Sequence, residues 1–337
     1  MVNHTSPGIM CFNNNITDEI AELVITVNYF ILNTIIGFTG LVVNVIKVIV
    51  FFKLGLNDST NISFFVLSLA DTGIGILMVG FSTVFNPLFK QAVMYIDVAV
   101  SIAYYCVAWP YGFFSRVASL MTAVITVERF LCVTFPLKVK EIFNPTVAAT
   151  ISIILILSVL VSVIPAFVAT RLGPVFNDKL NLTLLGLVQT ESRAQLESVS
   201  FLCVAIFQIV SIGVITSFTI ALTHTFLQTT KWRNQVSNKS EQLSTKHKRL
   251  VKMVIFMSIS FLIFSIPSMI FIFLAVFQEG FTNDGPCKNV FYLVSSFIFP
   301  TDAINSIISF VLLLHMSSKF KHIFRLMFFG TKRLKKH

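Results

Sequence analysis

Residues 103–138 read AYYCVAWPYGFFSRVASLMTAVITVERFLCVTFPLK, a long apolar run that ends in the charged pair Glu128 and Arg129. Before that pair the run contains one charge, Arg116. A helix needs roughly 20 residues to cross about 30 Å of hydrocarbon. The stretch is therefore typical of a membrane-spanning helix that ends at a polar surface.

Six comparable runs accompany this one. The chain is 55% hydrophobic, with 36 Phe and a mean hydropathy of +0.84, which is too apolar for a soluble domain. The runs lack the alternation of a membrane β-barrel, and lipid leaves no backbone group unpaired, so helices are expected. The sequence predicts an all-α membrane protein, a seven-transmembrane helix bundle. Its spans are expected at about 24–52, 61–86, 103–134, 146–169, 199–227, 249–277 and 289–314.

The basic residues predict the orientation, because short loops rich in Lys and Arg stay cytoplasmic. Of the 25 Lys and Arg residues, Arg116 falls inside the third span and five fall outside the cell; all the others are assigned to the inner side. The five outer residues are Lys90, Arg171, Lys179, Arg193 and Lys288. A plasma-membrane protein with an extracellular amino terminus is predicted. Binding to nucleic acid is disfavoured, because the charge is confined to alternate loops.

Three regions follow from these spans: an extracellular tail at 1–23, the bundle at 24–314, and a cytoplasmic tail at 315–337. In the last, 317–329 places five apolar residues on one side and three basic residues on the other, which predicts an amphipathic helix along the inner membrane face. The acceptor pattern Asn-x-Ser/Thr occurs in outer segments, so glycosylation is expected at Asn3, Asn15 and Asn181.

Polar residues recur inside the apolar runs. Span one holds Gly40 and Asn44, span two holds Asp71 in the sequence LSLAD, span six holds Pro267, and span seven holds Asp302, Asn305 and Ser309 on one helical face. Lipid cannot solvate a carboxylate, so Asp71 is expected to face the bundle interior with polar partners.

Together and in this order, these residues resemble the rhodopsin-like G-protein-coupled receptors, from Gly40 to about Phe328. The segments 128–133, 136–140 and 315–320 are more narrowly similar to chemosensory receptors of molluscs, with related sequences in other invertebrates.

The resemblance implies an activation switch in which Arg129 rests beside Glu128 and then turns toward a heterotrimeric G protein. The other residues that it assigns to this switch are Asp71, Asn44, Asn305, Ser309 and Pro267. Adjacent helical residues point about 100° apart, but a guanidinium can curl back to a neighbouring carboxylate. In the alternative interpretation, Glu128 and Arg129 are charges that only mark the membrane boundary. Some relatives have a disulfide between the tail and the third outer loop, and the corresponding pair in this chain would be Cys11 and Cys287.

Several departures limit this comparison. Span four has no Trp, span five has no Pro, and the family's Cys-Trp-x-Pro reads Phe264-Ser265-Ile266-Pro267. Span seven lacks Asn-Pro-x-x-Tyr. Counting back from the tail segment places the motif at Ser309, which we favour over Asn305, the position given by the asparagine alone. Asn305, one turn above Ser309, could then reach toward Asp71. These changes leave open whether an internal sodium ion binds near Asp71.

The ligand pocket is expected around Tyr111, Arg116 and Asp302, in the outer half of the bundle. Tyr111 stands where amine receptors of the family carry Asp, and span seven has no Lys for an opsin Schiff base. An outer hairpin is expected around 177–179, as in peptide and chemosensory receptors. For Arg116 and Asp302, a structural ion pair and a ligand-binding role are both open.

The sequence therefore predicts a receptor for an extracellular ligand, a chemosensory small molecule or a peptide, that activates a heterotrimeric G protein. A membrane transporter or channel is the alternative, because such proteins also need intramembrane charges; it is disfavoured because seven spans cannot form equal repeats. Enzyme activity, cofactors and metal sites are not expected, because the spans carry no His, Asp and Glu cluster with ligand spacing.

Overall fold

The computed structural model describes residues 18–86, 98, 101–177, 181–236, 241–278, 280–281 and 285–330. Within these residues, seven helices are long and apolar enough to cross a membrane. We call them spans 1 to 7: Val27–Leu54, Ser59–Val84, Ala103–Thr134, Pro145–Ala169, Arg193–Lys231, Lys248–Ala275 and Lys288–Met316. The predicted all-α seven-span bundle is confirmed.

The helical segments continue beyond or interrupt these spans. A helix Asp18–Thr26 leads into span 1, whose first turns, Val27–Leu32, have π-helical geometry, as do the first turns of span 3, Ala103–Ala108. The remaining helices are Asn33–Leu54, Ser59–Val84, Trp109–Thr134, Val139–Ile142, Pro145–Ala169, Arg193–Val236, Glu241–Phe264, Ile266–Phe277, Lys288–Met316 and Ser318–Phe329.

Span 5 and the helix that contains span 6 are longer than the apolar runs predict. Hydropathy ends the fifth run at about 227 and begins the sixth at about 249, whereas the helices reach Val236 and begin at Glu241. The added turns contain several Gln and Lys residues, which favour helix without any apolar run. At the start of span 5, Arg193 and Glu197 form an i, i+4 ion pair of 3.0 Å that supports the added first turns.

Two antiparallel strands, β1 (Thr170–Asn177) and β2 (Leu182–Gln189), form the hairpin that the sequence predicts between spans 4 and 5. Asn181, which immediately precedes β2, has a φ of 50°, a conformation that Asn tolerates better than most residues. We call the end of the bundle that carries the hairpin the hairpin end. The opposite end, where Ser318–Phe329 follows span 7, is the tail end.

Span 3 is the most buried of the seven helices, and spans 4 and 5 are the least buried. Spans 1 and 2 pack closely because Gly75 has no side chain: a Cβ there would lie 3.0 Å from the Cα of Leu41. Many large apolar side chains on spans 1, 4, 5 and 6 remain exposed, as expected of surfaces that face lipid.

The tail-end helix is held by aromatic contacts. Phe320 is fully buried, with its ring centroid 5.3 Å from that of Phe51 on span 1 and 6.1 Å from that of Phe310 on span 7. Ser317 caps the helix by accepting a hydrogen bond from the Phe320 amide at 3.3 Å. The predicted amphipathic helix is present, and one of its apolar residues anchors it to the bundle.

Candidate functional site

A cavity of about 160 Å³ opens near the hairpin end, among spans 1, 2, 3, 5, 6 and 7. We call it the hairpin-end cavity. Eleven of its lining residues are aromatic: Tyr29, Phe81, Phe85, Tyr104, Trp109, Tyr111, Phe201, Phe271, Phe291, Tyr292 and Phe299. The π-helical turns of spans 1 and 3 contribute Tyr29, Ala103, Tyr104 and Ala108 to this wall. Such turns are rare and frequently occur at functional sites.

Tyr111, Ser115 and Arg116 line this cavity from span 3. The Tyr111 hydroxyl donates to Asp302 Oδ2 at 2.7 Å, and the Ser115 hydroxyl donates to the same oxygen at 2.7 Å. The Tyr111 ring also packs on Phe299, with centroids 4.2 Å apart. The structure thus brings together Tyr111 and Asp302, which the sequence places at one level of the bundle.

Arg116 is only 5% exposed, although it carries a full charge. One of its terminal nitrogens donates to Gln208 Oε1 on span 5, and the other donates to Ser115 Oγ at 3.0 Å. Ser115 therefore lies between Arg116 and Asp302, and the described residues show no direct ion pair between these two charges. The guanidinium Nε is buried without a hydrogen-bond partner.

Asp71 has a partner that the sequence analysis assigned elsewhere. Lys47 Nζ on span 1 lies 2.7 Å from Asp71 Oδ2, and the two residues are 1% and 6% exposed. Counting Lys47 among the inner-side basic residues was therefore wrong: it is buried inside the bundle. The sequence itself indicates the interior position, because Lys47 follows Asn44 by three residues and thus shares its interior face.

The Lys47–Asp71 pair argues, on chemical grounds, against an internal sodium ion at Asp71. The ammonium group already supplies a positive charge in hydrogen-bonding contact with the carboxylate. A second cation at the same carboxylate would lie beside the first in a low-dielectric interior, where like charges repel strongly. The residues present therefore do not fit a sodium ion at Asp71.

A second, smaller cavity lies deeper in the bundle, with a volume of about 30 Å³. We call it the mid-bundle cavity. Its polar lining comprises Asp71, Ser115, Thr122, Asp302, Asn305, Ser306 and Ser309. Ser115 lines both cavities, so this one hydroxyl separates the aromatic chamber from the acidic one.

Asn44 links three spans around this chamber. Its side-chain nitrogen donates to the backbone oxygen of Asp71 at 3.3 Å and to Ser306 Oγ at 3.0 Å. Asn305, expected to point toward Asp71, instead accepts a hydrogen bond of 2.9 Å from Ser260 on span 6. The adjacent Ser306 makes the link to span 1, and the Ser309 hydroxyl is buried without a partner.

Glu128 and Arg129 lie at the tail end of span 3. Glu128 is 1% exposed, and its Oε1 accepts hydrogen bonds from Ser59 at 2.9 Å and Thr60 at 2.6 Å, at the start of span 2. Arg129 Nη2 lies 3.5 Å from the same oxygen and also donates to Thr60. The two hydroxyls are not conspicuous in the sequence, yet they lie closer to the carboxylate than the guanidinium does.

The helix that contains span 6 is interrupted just before Pro267. Helix Glu241–Phe264 ends one residue before Ser265, and Ile266–Phe277 begins one residue after it. Proline has no amide hydrogen and its ring clashes with the preceding turn, which explains the break.

Cys287 at the start of span 7 is disulfide-bonded, whereas Cys106, Cys132 and Cys203 are free. Its expected partner Cys11 lies outside the described residues, as do the acceptors Asn3 and Asn15. Asn181, the third predicted acceptor, is exposed. No group of three or more His, Cys, Asp or Glu suitable for a metal ion occurs in the described part of the chain.

The family comparison agrees with this geometry. A model of the 7 transmembrane receptor (rhodopsin family) matches residues 43–308, most of the chain. No curated protein matches. The chain belongs to the rhodopsin family of seven-transmembrane receptors, and it is therefore a multi-pass membrane receptor of a signal-transducing family whose members are not enzymes.

Proposed function

We propose that this member of the rhodopsin family binds an extracellular ligand in the hairpin-end cavity and activates a heterotrimeric G protein at its tail end. It does so at the plasma membrane, with the amino terminus outside the cell. Among ligand types we favour a chemosensory small molecule, in keeping with the similarity to invertebrate chemosensory receptors.

One observation carries the proposal: a single helix joins the two ends. Span 3 places Tyr111, Ser115 and Arg116 on the cavity and Glu128 and Arg129 at the tail end. Thirteen residues separate Arg116 from Arg129, about 20 Å at the helical rise. A ligand that shifts span 3 in the cavity would thereby alter the contacts that Glu128 makes with Ser59 and Thr60.

The size of the cavity supports a small molecule over a peptide. Its volume of about 160 Å³ is below the roughly 300–1,000 Å³ of pockets that enclose drug-sized ligands. A larger chamber of about 420 Å³, the vestibule, lies between the hairpin and spans 5 to 7 and shares Tyr104, Phe201 and Phe291 with the cavity. It would serve as an entrance.

The orientation rests on charge. Without Lys47, Lys and Arg are still more numerous in the segments assigned to the inner side than in those assigned to the outer side. The orientation that this difference predicts is therefore unchanged. The three regions then follow: 1–23 outside, the bundle at 24–314, and 315–337 inside. An outside hairpin end makes Asn181 accessible for glycosylation, together with Asn3 and Asn15.

The decisive test uses Arg129→Ala with Arg171→Ala as the control. Arg171 is exposed on β1, at the other end of the molecule. We expect both variants to reach the cell surface and Arg129→Ala to lose nucleotide exchange, because Arg129 would contact the G protein only in the open state. Exchange on a panel of G proteins would be measured with no addition and with a mixture of apolar acids, amides, amines and short peptides.

Undiminished exchange by Arg129→Ala at normal surface density would overturn this role of Arg129. A transporter or channel would instead produce solute flux in reconstituted vesicles, without any dependence of nucleotide exchange on the receptor.

The inner loops should provide the rest of the G-protein site. We expect 231–252 and 138–144 to flank Arg129 at the G protein, and exchanging 231–248 with a receptor of different coupling should change the preferred G protein. The preference would be read from nucleotide exchange on purified G proteins. Unchanged coupling would exclude this loop as the determinant.

A further inference from the structure

We infer that the ligand of the hairpin-end cavity is a small organic acid with a compact apolar body, and that Arg116 binds its acidic group. This inference rests on the proposed receptor function and names the ligand class that the cavity would accept.

The charges around the cavity are one-sided. Among the described residues that line it, Arg116 is the single charged residue; the others are aromatic, aliphatic or small. A buried cation in apolar surroundings is unfavourable unless it meets a counter-charge. In the part of the chain that the structure describes, an acidic group entering this chamber would meet the positive charge of Arg116 and no lining carboxylate.

The partners of Arg116 leave part of its charge unsatisfied. Gln208 and Ser115 are neutral acceptors, and Nε is buried without a partner although guanidinium groups bind carboxylates best through two parallel hydrogen bonds. The direct hydrogen-bond partners of Arg116 are thus neutral, and Asp302, the nearby carboxylate, is linked to it only through the Ser115 hydroxyl.

The two carboxylates nearby face the other chamber. Asp302 and Asp71 both line the mid-bundle cavity, and neither lines the hairpin-end cavity. Asp71 is paired with Lys47, and Asp302 accepts from Tyr111 and Ser115. Ser115 therefore separates a cationic, aromatic chamber from an acidic one, and an incoming acid would contact the former.

An acid must pass the vestibule, whose described lining has more acidic than basic residues. It is lined by Glu191, Arg193 and Glu197. Glu197 is neutralised locally, because it accepts from Arg193 at 3.0 Å and from Tyr104 at 2.9 Å. Glu191 is exposed, so solvent screens it, whereas the charge of Arg116 acts through a low-dielectric interior.

The experiment compares matched probes on purified full-length receptor in lipid nanodiscs. Octanoic, 3-phenylpropionic and indole-3-propionic acids would each be compared with the primary amide and the amine of the same skeleton. Binding is read as concentration-dependent thermal stabilisation, which needs no G protein. We expect the half-maximal concentration of at least one acid to be tenfold or more below those of its amide and amine.

Variants assign this preference to Arg116. In Arg116→Gln the acid should lose its tenfold advantage, while Arg171→Gln, a matched change on the exposed hairpin, should retain it. If Arg116→Gln does not fold, Gln208→Glu serves instead: it keeps the shape and gives Arg116 an internal carboxylate, so acid binding should weaken tenfold or more and amide binding should not.

The outcomes separate the two proposals. Stronger binding of amides or amines, no binding by any of the acids, or an acid preference that survives both Arg116→Gln and Gln208→Glu would overturn the inference. Acid binding without nucleotide exchange on any G protein would keep the ligand class and contradict the receptor function. Nucleotide exchange driven by a non-acidic compound would support the receptor function and contradict the proposed ligand class.

Discussion

Two pairs of opposite charges inside the bundle, Lys47 with Asp71 and Arg116 with Asp302, are built differently. Lys47 and Asp71 touch at 2.7 Å, between spans 1 and 2. Arg116 and Asp302 are separated by the hydroxyl of Ser115, and they face different cavities. A direct pair neutralises itself and holds two helices together. A divided pair leaves each charge with neutral hydrogen-bond partners, so each can still respond to a ligand or to movement of a helix.

The largest effect is expected from breaking the direct pair. Lys47→Met removes the ammonium and leaves the Asp71 carboxylate buried without its counter-charge, which destabilises proteins by roughly 3–5 kcal/mol. The double variant Lys47→Met, Asp71→Leu removes both charges and should recover most of the loss. Thermal unfolding in detergent and surface density would be measured. Equal loss in the single and double variants would show that the pair contributes little.

A smaller effect is expected from the divided pair. Arg116→Ala leaves Gln208 without its donor, and Asp302→Ala removes the acceptor of two hydroxyls, so each should lower stability by about 1–3 kcal/mol. The double variant should recover less than in the direct pair, because Ser115 separates the two groups. Surface expression and thermal unfolding would show this. Full recovery of stability in the double variant would show that Arg116 and Asp302 interact as directly as Lys47 and Asp71.

If Arg116→Ala and Asp302→Ala instead express normally, the agonist response decides. A ligand-binding role predicts a shifted response that depends on the charge removed. Wild-type expression and a wild-type response in both would remove Tyr111, Arg116 and Asp302 from the pocket.

The smallest effect is expected at Ser309. Its hydroxyl is buried without a partner, so Ser309→Ala removes no hydrogen bond and should leave stability unchanged or slightly higher. Asn44→Ala is the contrasting change on the same cavity, because it removes the bonds to Asp71 and Ser306 and should destabilise by about 1–3 kcal/mol. A large loss in Ser309→Ala would indicate that its hydroxyl bonds within the bundle.

The sequence predicts the spans well because hydropathy is a property of consecutive residues. The expected third span, 103–134, coincides with the helix, and the fourth differs by one residue at its start. At that start Asn144 accepts a hydrogen bond from the Val147 amide at 2.9 Å and Pro145 occupies the first turn, a local signal of helix initiation. Where polar residues extend a helix, as between 227 and 249, hydropathy gives no boundary.

The site was predicted in part. Tyr111, Arg116 and Asp302 are identified by being polar in an apolar run, and the structure brings them to one level. Gln208 carries no charge and Ser115 is a common residue in spans, so neither is conspicuous in the sequence. Lys47 was conspicuous but was assigned to the membrane surface, since lysine near a helix end ordinarily extends to water.

By itself the sequence determined the number of spans, the hairpin, the tail-end helix and most of the polar positions inside the bundle, Lys47 excepted, because each depends on neighbours within a few turns of chain. Only the tertiary structure decided which charges meet. The rotation and spacing of each helix follow from packing between helices, as at Gly75 and Leu41, and no local pattern encodes them. That packing brings Lys47 to Asp71 and places Ser115 between Arg116 and Asp302.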